Sequence, residues 1–123
     1  MTRGEIWRVD LDPTVGAEIR KTRPAVILND DAVGALPLRI MAPVTRWKPE
    51  YRDVPWMVEL TDSAGGEKTG LEKRSVVDLF QLRSLSTARC VERIGVVDSD
   101  TMETMEHRLC SVFGVEVFPE GER

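Results

Sequence analysis

Charged, proline and glycine residues divide the chain into short apolar segments, and this division limits what it can fold into. Strand-like runs occupy 4–11 (GEIWRVDL), 24–29 (PAVILN), 38–44 (LRIMAPV), 54–60 (VPWMVEL) and 75–82 (SVVDLFQL), with a weaker sixth at 91–97 (VERIGVV). Pro24 is predicted to open the second strand, because proline cannot donate to a central ladder. Five or six short strands without a helix between them predict a mainly β fold, an antiparallel sheet curled into a small barrel.

The end of the chain has helical periodicity instead. Asp98 and its neighbours can cap a helix whose apolar stripe is Met102, Met105, Leu109, Val112 and Phe113 and which ends near Gly114. This amphipathic helix is predicted to pack on the barrel. His107, the one histidine of the chain, falls off the stripe and is predicted to be solvated. An acid and base pair of two histidines is therefore excluded, and the spacing indicates no other familiar catalytic constellation.

The length of 123 residues fits a single domain spanning 1–123. No segment approaches the roughly 20 apolar residues of a membrane span, and the first residues lack the apolar core of a signal peptide. We therefore expect a soluble cytoplasmic protein without a membrane partner. Cys90 and Cys110 stand alone, without a CxxC or a neighbouring histidine, and are expected to be buried reduced thiols rather than zinc ligands.

The net charge of −4 conceals a basic segment. Residues 20–52 hold seven Lys/Arg against three Asp/Glu, and two aromatic residues, Trp47 and Tyr51, lie among the cations. The cations are Arg20, Lys21, Arg23, Arg39, Arg46, Lys48 and Arg52. Cations interleaved with aromatics suit single-stranded nucleic acid, where phosphates are neutralised and bases stack. A solvated loop whose aromatics cover the edge of a core has the same composition, and composition alone does not separate the two.

The opening segment RGEIWRVDLDPTVGAEIRKTRPAVILND, residues 3–30, resembles the N-terminal signature of the MazF/PemK family of toxin endoribonucleases. IMAPVT, SVVDLFQLRSL and the terminal helix follow in the order of that family. The resemblance implies an SH3-like barrel, a homodimer and cleavage of single-stranded RNA at a short sequence, with neither metal nor other cofactor. It also implies a cognate antitoxin whose acidic C-terminal tail lies in the RNA groove.

The resemblance carries three catalytic residues onto this chain, Arg23, Thr45 and Glu18. Arg23 can hold two phosphate oxygens with its planar donors, and the Thr45 hydroxyl can donate to the same phosphate. Glu18 would either orient Arg23 or take the proton of the 2′-hydroxyl. Residues expected to bind RNA are Arg20, Lys21, Arg46, Trp47, Lys48, Gln81 and Arg83. Arg74 departs from family members that have an acidic residue there, which bears on substrate preference.

RNA supplies its own nucleophile, the 2′-hydroxyl beside the scissile phosphate. The protein needs only to move protons and stabilise the charged transition state, so neither histidine nor metal is obligatory. The predicted products are a 2′,3′-cyclic phosphate and a 5′-hydroxyl. Two alternatives stay open: a non-enzymatic toxin on the same barrel that binds a protein such as gyrase, and an RNA-binding barrel without catalysis.

Overall fold

The computed structural model describes residues 1–62 and 65–116. The described residues form β1 (Glu5–Asp10), β2 (Thr22–Ile27), β3 (Leu38–Arg46), β4 (Met57–Leu60), β5 (Ser75–Asp78), β6 (Arg83–Ser86), β7 (Cys90–Val96) and α1 (Ser99–Val112). Short 3-10 helices occupy several of the connections. The mainly β class with one C-terminal helix is confirmed.

Every strand pairing is antiparallel, and the order in the sheet is β4-β5-β3-β2-β1-β7, with β6 paired to the first part of β3. β3 pairs with β6 at its start and with β5 over its last three residues, so the sheet curls around this strand. The path of pairing ends at β4 and β7, which are not paired with each other in the described part of the chain. Among the described residues the curled sheet is thus not closed by a ladder between these two strands.

Two apolar clusters lie on the two faces of β2. Val26 belongs to the larger cluster, which α1 covers with Met102 and Met105, and Ala25 and Ile27 belong to the smaller one. Successive side chains of a strand point to opposite faces, so β2 is buried on both. This explains its continuous apolar run.

The terminal helix begins at the predicted cap. The Asp98 carboxylate accepts a hydrogen bond from the Thr101 backbone N–H at 2.8 Å, and the chain turns out of the helix at Gly114 with φ +72°. His107 is exposed, as predicted. Phe113 is not part of the buried stripe, because it lies beyond the last helical turn and keeps 67% of its surface exposed.

Three further expectations need correction. Pro24 is the third residue of β2 rather than the first, and the pairing with β3 begins only after it, at Ala25. The run 75–82 is not one strand, because the Asp78 side chain accepts from the Phe80 N–H and turns the chain. The turn is followed by β6, which is an additional strand beyond the six that the sequence predicts. Both free cysteines are half-buried rather than buried.

Candidate functional site

The register of β2 and β3 places two of the predicted catalytic residues opposite each other. Ala25 pairs with Pro43 and Val26 with Ala42, and extending this register by two residues sets Arg23 across from Thr45. Residues directly opposite on antiparallel strands share a face of the sheet. Both are half-buried and line one open depression of about 340 Å3. We call it the Arg23 depression; its lining is Arg8, Arg23, Pro24, Val44, Thr45, Arg46, Gly70, Leu71, Glu72, Lys73, Ser75 and Ile94.

The Arg23 depression holds more positive than negative side chains. Arg8, Arg23, Arg46 and Lys73 line it, against the single carboxylate of Glu72. Of the four cations only Arg8 is in an ion pair within the described residues, with Glu92. The Arg23 Nε donates to the Arg20 carbonyl oxygen at 3.3 Å, which leaves its terminal nitrogens for a ligand. Such a concentration of cations without carboxylate partners favours an anion such as phosphate.

One wall of this depression is a loop that crosses directly over β7. The Val96 N–H donates to the Lys68 carbonyl oxygen at 3.0 Å. A Cβ on Gly95 would lie 2.2 Å from the Thr69 carbonyl oxygen, and one on Gly70 2.3 Å from that of Ile94. Only glycine allows backbones to approach so closely. The crossing therefore fixes the position of residues 70–73 in the site.

An ion-pair network fastens the same loop to β1. Arg93 on β7 donates from Nε to Glu5 at 2.8 Å, and its Nη1 contacts Glu67 of the loop. Burial by itself would raise the pKa of Glu5, but hydrogen bonds from Trp7, Arg93 and the Thr2 N–H, with the nearby amino terminus, lower it to about 2. Glu5 is therefore ionised at neutral pH and holds Arg93 toward the loop.

The third predicted catalytic residue, Glu18, does not line the Arg23 depression. It lies with Gln81 and Arg83 on a neighbouring depression of about 490 Å3. The Glu18 carboxylate accepts from the Val15 N–H at 2.6 Å, inside its own loop. Gln81 holds that loop, because its Oε1 accepts from the Ile19 N–H at 2.6 Å and its Nε2 donates to the Ala17 carbonyl oxygen at 3.4 Å.

A third depression of about 170 Å3 adjoins Trp47, and we call it the Trp47 depression; its lining is Trp47, Tyr51, Arg52, Asp53, Met57, Glu59, Arg74 and Val76. The guanidinium carbon of Arg74 lies 3.7 Å from the centroid of the Trp47 ring, and that of Arg52 lies 5.4 Å from it. Arg74 also donates from Nε and Nη2 to the two carboxylate oxygens of Glu59, at 2.6 and 3.0 Å. These hydrogen bonds lower the pKa of Glu59 below its usual value. The predicted stacking residue Trp47 thus already carries an arginine on its ring.

The remaining predicted RNA-binding residues are spread along the surface. Arg20 and Lys21 precede β2, and Lys48 precedes a 3-10 turn after β3; all three are exposed. Arg39 is at the far end of β3 from Arg46, roughly 20 Å away at about 3.3 Å per residue. It donates there to the carbonyl oxygens of Leu36 and Leu38. The basic segment of the sequence is therefore not one basic surface.

Two cations of the site were not predicted from the sequence. Arg8 reaches the Arg23 depression because it pairs with Pro24 in the sheet, and Lys73 because its loop crosses β7. Apolar and polar residues alternate along β1, and this alternation is a sequence signal that Arg8 lies outside the core. No local pattern marks Lys73.

Within the described ranges no three His, Cys, Asp or Glu side chains form a group that could hold a metal ion. No helix in that part of the chain has the length and apolarity needed to cross a membrane.

Comparison with known proteins identifies the family. Residues 2–113 match the model of a family described as PemK-like, MazF-like toxin of type II toxin-antitoxin system. The chain belongs to this toxin family. Endoribonuclease MazF9 of Mycobacterium tuberculosis is 31% identical over 109 residues, which cover 89% of this chain and 92% of that protein.

Solved structures agree with this membership. The crystal structure of MazF from Deinococcus radiodurans superposes with a TM-score of 0.76 at 25% identity and covers 94% of this chain and 97% of its own. A mycobacterial endoribonuclease in complex with its cognate antitoxin has the same fold, with a TM-score of 0.74 at 19% identity over 97% of this chain and 99% of its own. The resemblance of the opening segment to the MazF/PemK family is thereby confirmed.

Proposed function

We propose that this protein is a toxin endoribonuclease that cleaves single-stranded messenger RNA in the cytoplasm at a short sequence, without a metal ion. The 2′-hydroxyl attacks the neighbouring phosphate and leaves a 2′,3′-cyclic phosphate and a 5′-hydroxyl. The family membership and the name of the mycobacterial relative support the class of reaction. The observation that carries the mechanism is that Arg23 and Thr45 line one cationic depression, at facing positions of the extended β2–β3 register.

Arg23 and Thr45 would act together on one phosphate. The guanidinium offers a planar set of donors that matches two phosphate oxygens, and β2 fixes its point of departure from the sheet. The Thr45 hydroxyl donates from the opposite strand. Donors placed in advance around the scissile phosphate stabilise the extra negative charge of the transition state. Arg46 and Lys73 add positive field that attracts the strand.

Glu18 takes part only if its loop brings the carboxylate to the scissile phosphate. Its carboxylate accepts from Val15, and it lines the neighbouring depression rather than that of Arg23. Both roles considered for it, orienting Arg23 and accepting the 2′-hydroxyl proton, require a shift of the β1–β2 loop. We keep Glu18 in the proposed site in that sense, with Gln81 holding its loop.

A homodimer and an antitoxin complete the proposal. Leu36, Leu38 and Ile40 leave about half of their surfaces exposed, at 52%, 44% and 43%, and Leu38 and Ile40 are alternate residues of β3. This apolar surface supports contact with a second copy. The cations of the Arg23 depression suit an acidic antitoxin tail that competes with RNA.

The test is an incubation of a long unstructured RNA with pure protein in EDTA. Cleavage with a 2′,3′-cyclic phosphate end is expected, and a 2′-deoxy substitution at the scissile nucleotide should abolish it. Cleavage that survives this substitution, or that requires Mg²⁺, would refute the 2′-hydroxyl mechanism. Binding without cleavage would instead identify an RNA-binding barrel. The absence of both binding and cleavage would favour a toxin aimed at a protein.

Variants test the assignment of the site. Arg23→Ala should lower the cleavage rate by several orders of magnitude without unfolding the protein, and Thr45→Ala should cost roughly 10²-fold, as for one lost donor to the transition state. His107→Ala serves as the control, because His107 is exposed on α1 and should leave the rate unchanged. An inactive His107 variant beside an active Arg23 variant would place the site elsewhere.

A further inference from the structure

The Trp47 depression adjoins the Arg23 depression at one end of the β3–β5 pair. Arg46 and Lys73 line the Arg23 depression, and the residues that follow them in the chain, Trp47 and Arg74, line the Trp47 depression. The Trp47 N–H donates to the Arg74 carbonyl oxygen at 2.9 Å, which ties the two chain segments together. A strand of RNA that places a phosphate at Arg23 therefore has a neighbouring nucleotide close to Trp47.

Arg74 is held in place on two sides. Its guanidinium carbon lies 3.7 Å from the centroid of the Trp47 ring, and its Nε and Nη2 bind both oxygens of Glu59. The side chain nevertheless keeps 54% of its surface exposed. Most arginines lose rotamer freedom when they bind a ligand, but this one has already lost it. A fixed guanidinium plane, backed by an aromatic ring, is thus presented to solvent.

The chemistry of this plane selects its ligand. Glu59 occupies the donor edge formed by Nε and Nη2, so that edge is closed to the two-oxygen recognition of a phosphate or carboxylate. The carboxylates of Glu59 and Asp53, which both line the depression, would also repel an acidic peptide. The guanidinium face turned away from the Trp47 ring stays available, beside the Nη1 donors that Glu59 does not use. Unpaired nucleobases stack on arginine planes as they do on aromatic rings.

We propose that Trp47, Arg74 and Glu59 form a base-stacking subsite for a nucleotide that flanks the cleaved phosphate. The proposal rests on the proposed endoribonuclease function and extends it to substrate selection. Arg74 contacts the base, Trp47 supports Arg74 from below, and Glu59 is a positioning residue that sets the plane.

We expect the loss of a stacked base to change KM rather than kcat. A stacked base contributes a factor of roughly 5 to 150 in binding. Its stacking is the same before and during cleavage, so its loss should raise KM and leave kcat nearly unchanged. A residue with only a structural role would alter activity on all substrates alike.

The experiment uses an unstructured RNA whose cleavage position by the full-length protein has first been mapped. Each flanking nucleotide is replaced in turn by an abasic residue. For the unchanged protein, one flanking position should show an increase in KM of roughly tenfold. In Arg74→Lys, which keeps the charge but loses the plane, the increase at that position should shrink to within about twofold. Glu59→Gln, which releases Arg74, should shrink it in the same direction.

The matched control is Arg3→Lys. Arg3 pairs with Glu106, so this substitution makes the same chemical change in another exposed Arg–Glu pair that lines none of the three depressions. It should keep the full abasic effect. Thermal unfolding identifies variants that fail to fold. If Arg74→Lys is one of them, the abasic effect measured in Glu59→Gln tests the subsite instead.

An abasic effect of equal size in Arg74→Lys and in the unchanged protein, at every flanking position, overturns the subsite. The absence of any abasic effect in the unchanged protein does the same. Cleavage continues in both cases, which separates them from failure of the proposed function. Failure of the unchanged protein to cleave RNA overturns both proposals together.

Discussion

Replacing Gly95 by alanine tests the backbone crossing that shapes the site. A Cβ at this position would lie 2.2 Å from the Thr69 carbonyl oxygen, 2.4 Å from its carbon and 2.5 Å from the Lys68 carbonyl oxygen. Ordinary contacts begin near 3.4 Å, so β7 and the loop must separate by about 1 Å. The obstructing atoms belong to the backbone and cannot rotate away. The strain must therefore be relieved by moving the loop.

The cost can be built from the contacts that this movement breaks. The Val96–Lys68 hydrogen bond lies at the crossing and contributes about 0.5–1.5 kcal/mol. Overpacking of a fitted interior adds about 1–3 kcal/mol. Gly95→Ala should thus lower the free energy of unfolding by about 1.5–4.5 kcal/mol. The displaced wall of the Arg23 depression should also slow RNA cleavage in the fraction that stays folded.

Urea unfolding followed by circular dichroism measures the first effect through a lower midpoint with an unchanged slope. Gly66→Ala is the control in the same loop. Gly66 has a φ of +74° and no atom within 4 Å of the point that a Cβ would occupy, so its replacement should cost only about 1 kcal/mol from backbone strain. A Gly95 variant that is no less stable than the Gly66 variant would refute the reasoning from close approach.

Four further predictions concern pH, the helix cap, salt and an acidic peptide. Stability contributed by Glu5 is fully present above its unfolded pKa near 4.5 and should be lost as the pH falls through its folded value of about 2; Glu5→Gln should flatten this part of the urea-unfolding profile against pH. Asp98→Ala removes the acceptor for the Thr101 N–H and should lower stability by about 1 kcal/mol in thermal unfolding, whereas an unchanged midpoint would contradict the capping role. Affinity for uncleavable RNA should fall with a log–log salt slope of about −2, as expected when three cations neutralise phosphates. An acidic antitoxin peptide should displace that RNA, and simultaneous binding of both would show separate sites.

The elements that follow a simple period could be predicted from the sequence. β1 and the terminal helix lie close to the predicted runs, because alternating or helical spacing of apolar residues reflects burial directly. β3 and β7 also lie close to their predicted runs, although burial does not alternate along them. β6 could not be predicted, since the turn before it depends on one side chain, Asp78, that caps a 3-10 helix. The single-domain boundary of 1–123 stays a prediction.

The residues of the candidate site likewise include some that could be predicted from the sequence and some that could not. The resemblance supplied Arg23 and Thr45, and the strand register brings them into one depression. Lys73 and Arg74 enter the neighbourhood through a loop crossing and a contact with Trp47, which are tertiary events without a local signature. The stretch of basic residues was misleading as a spatial guide, because an extended strand carries Arg39 away from Arg46.

Two kinds of restraint hold the residues of the site: strand register aligns Arg23 with Thr45, and loops carry the residues around them. A slip of β2 against β3 by one residue would exchange side chains between the two apolar clusters, so the core itself protects the alignment of Arg23 with Thr45. The surrounding loops are not held by strand register but by the glycines at the crossing, the Arg93 ion pairs and individual hydrogen bonds. If the proposed site is correct, exchange of the segments around Trp47 and Arg74 should change the preferred RNA while Arg23 and Thr45 keep their alignment.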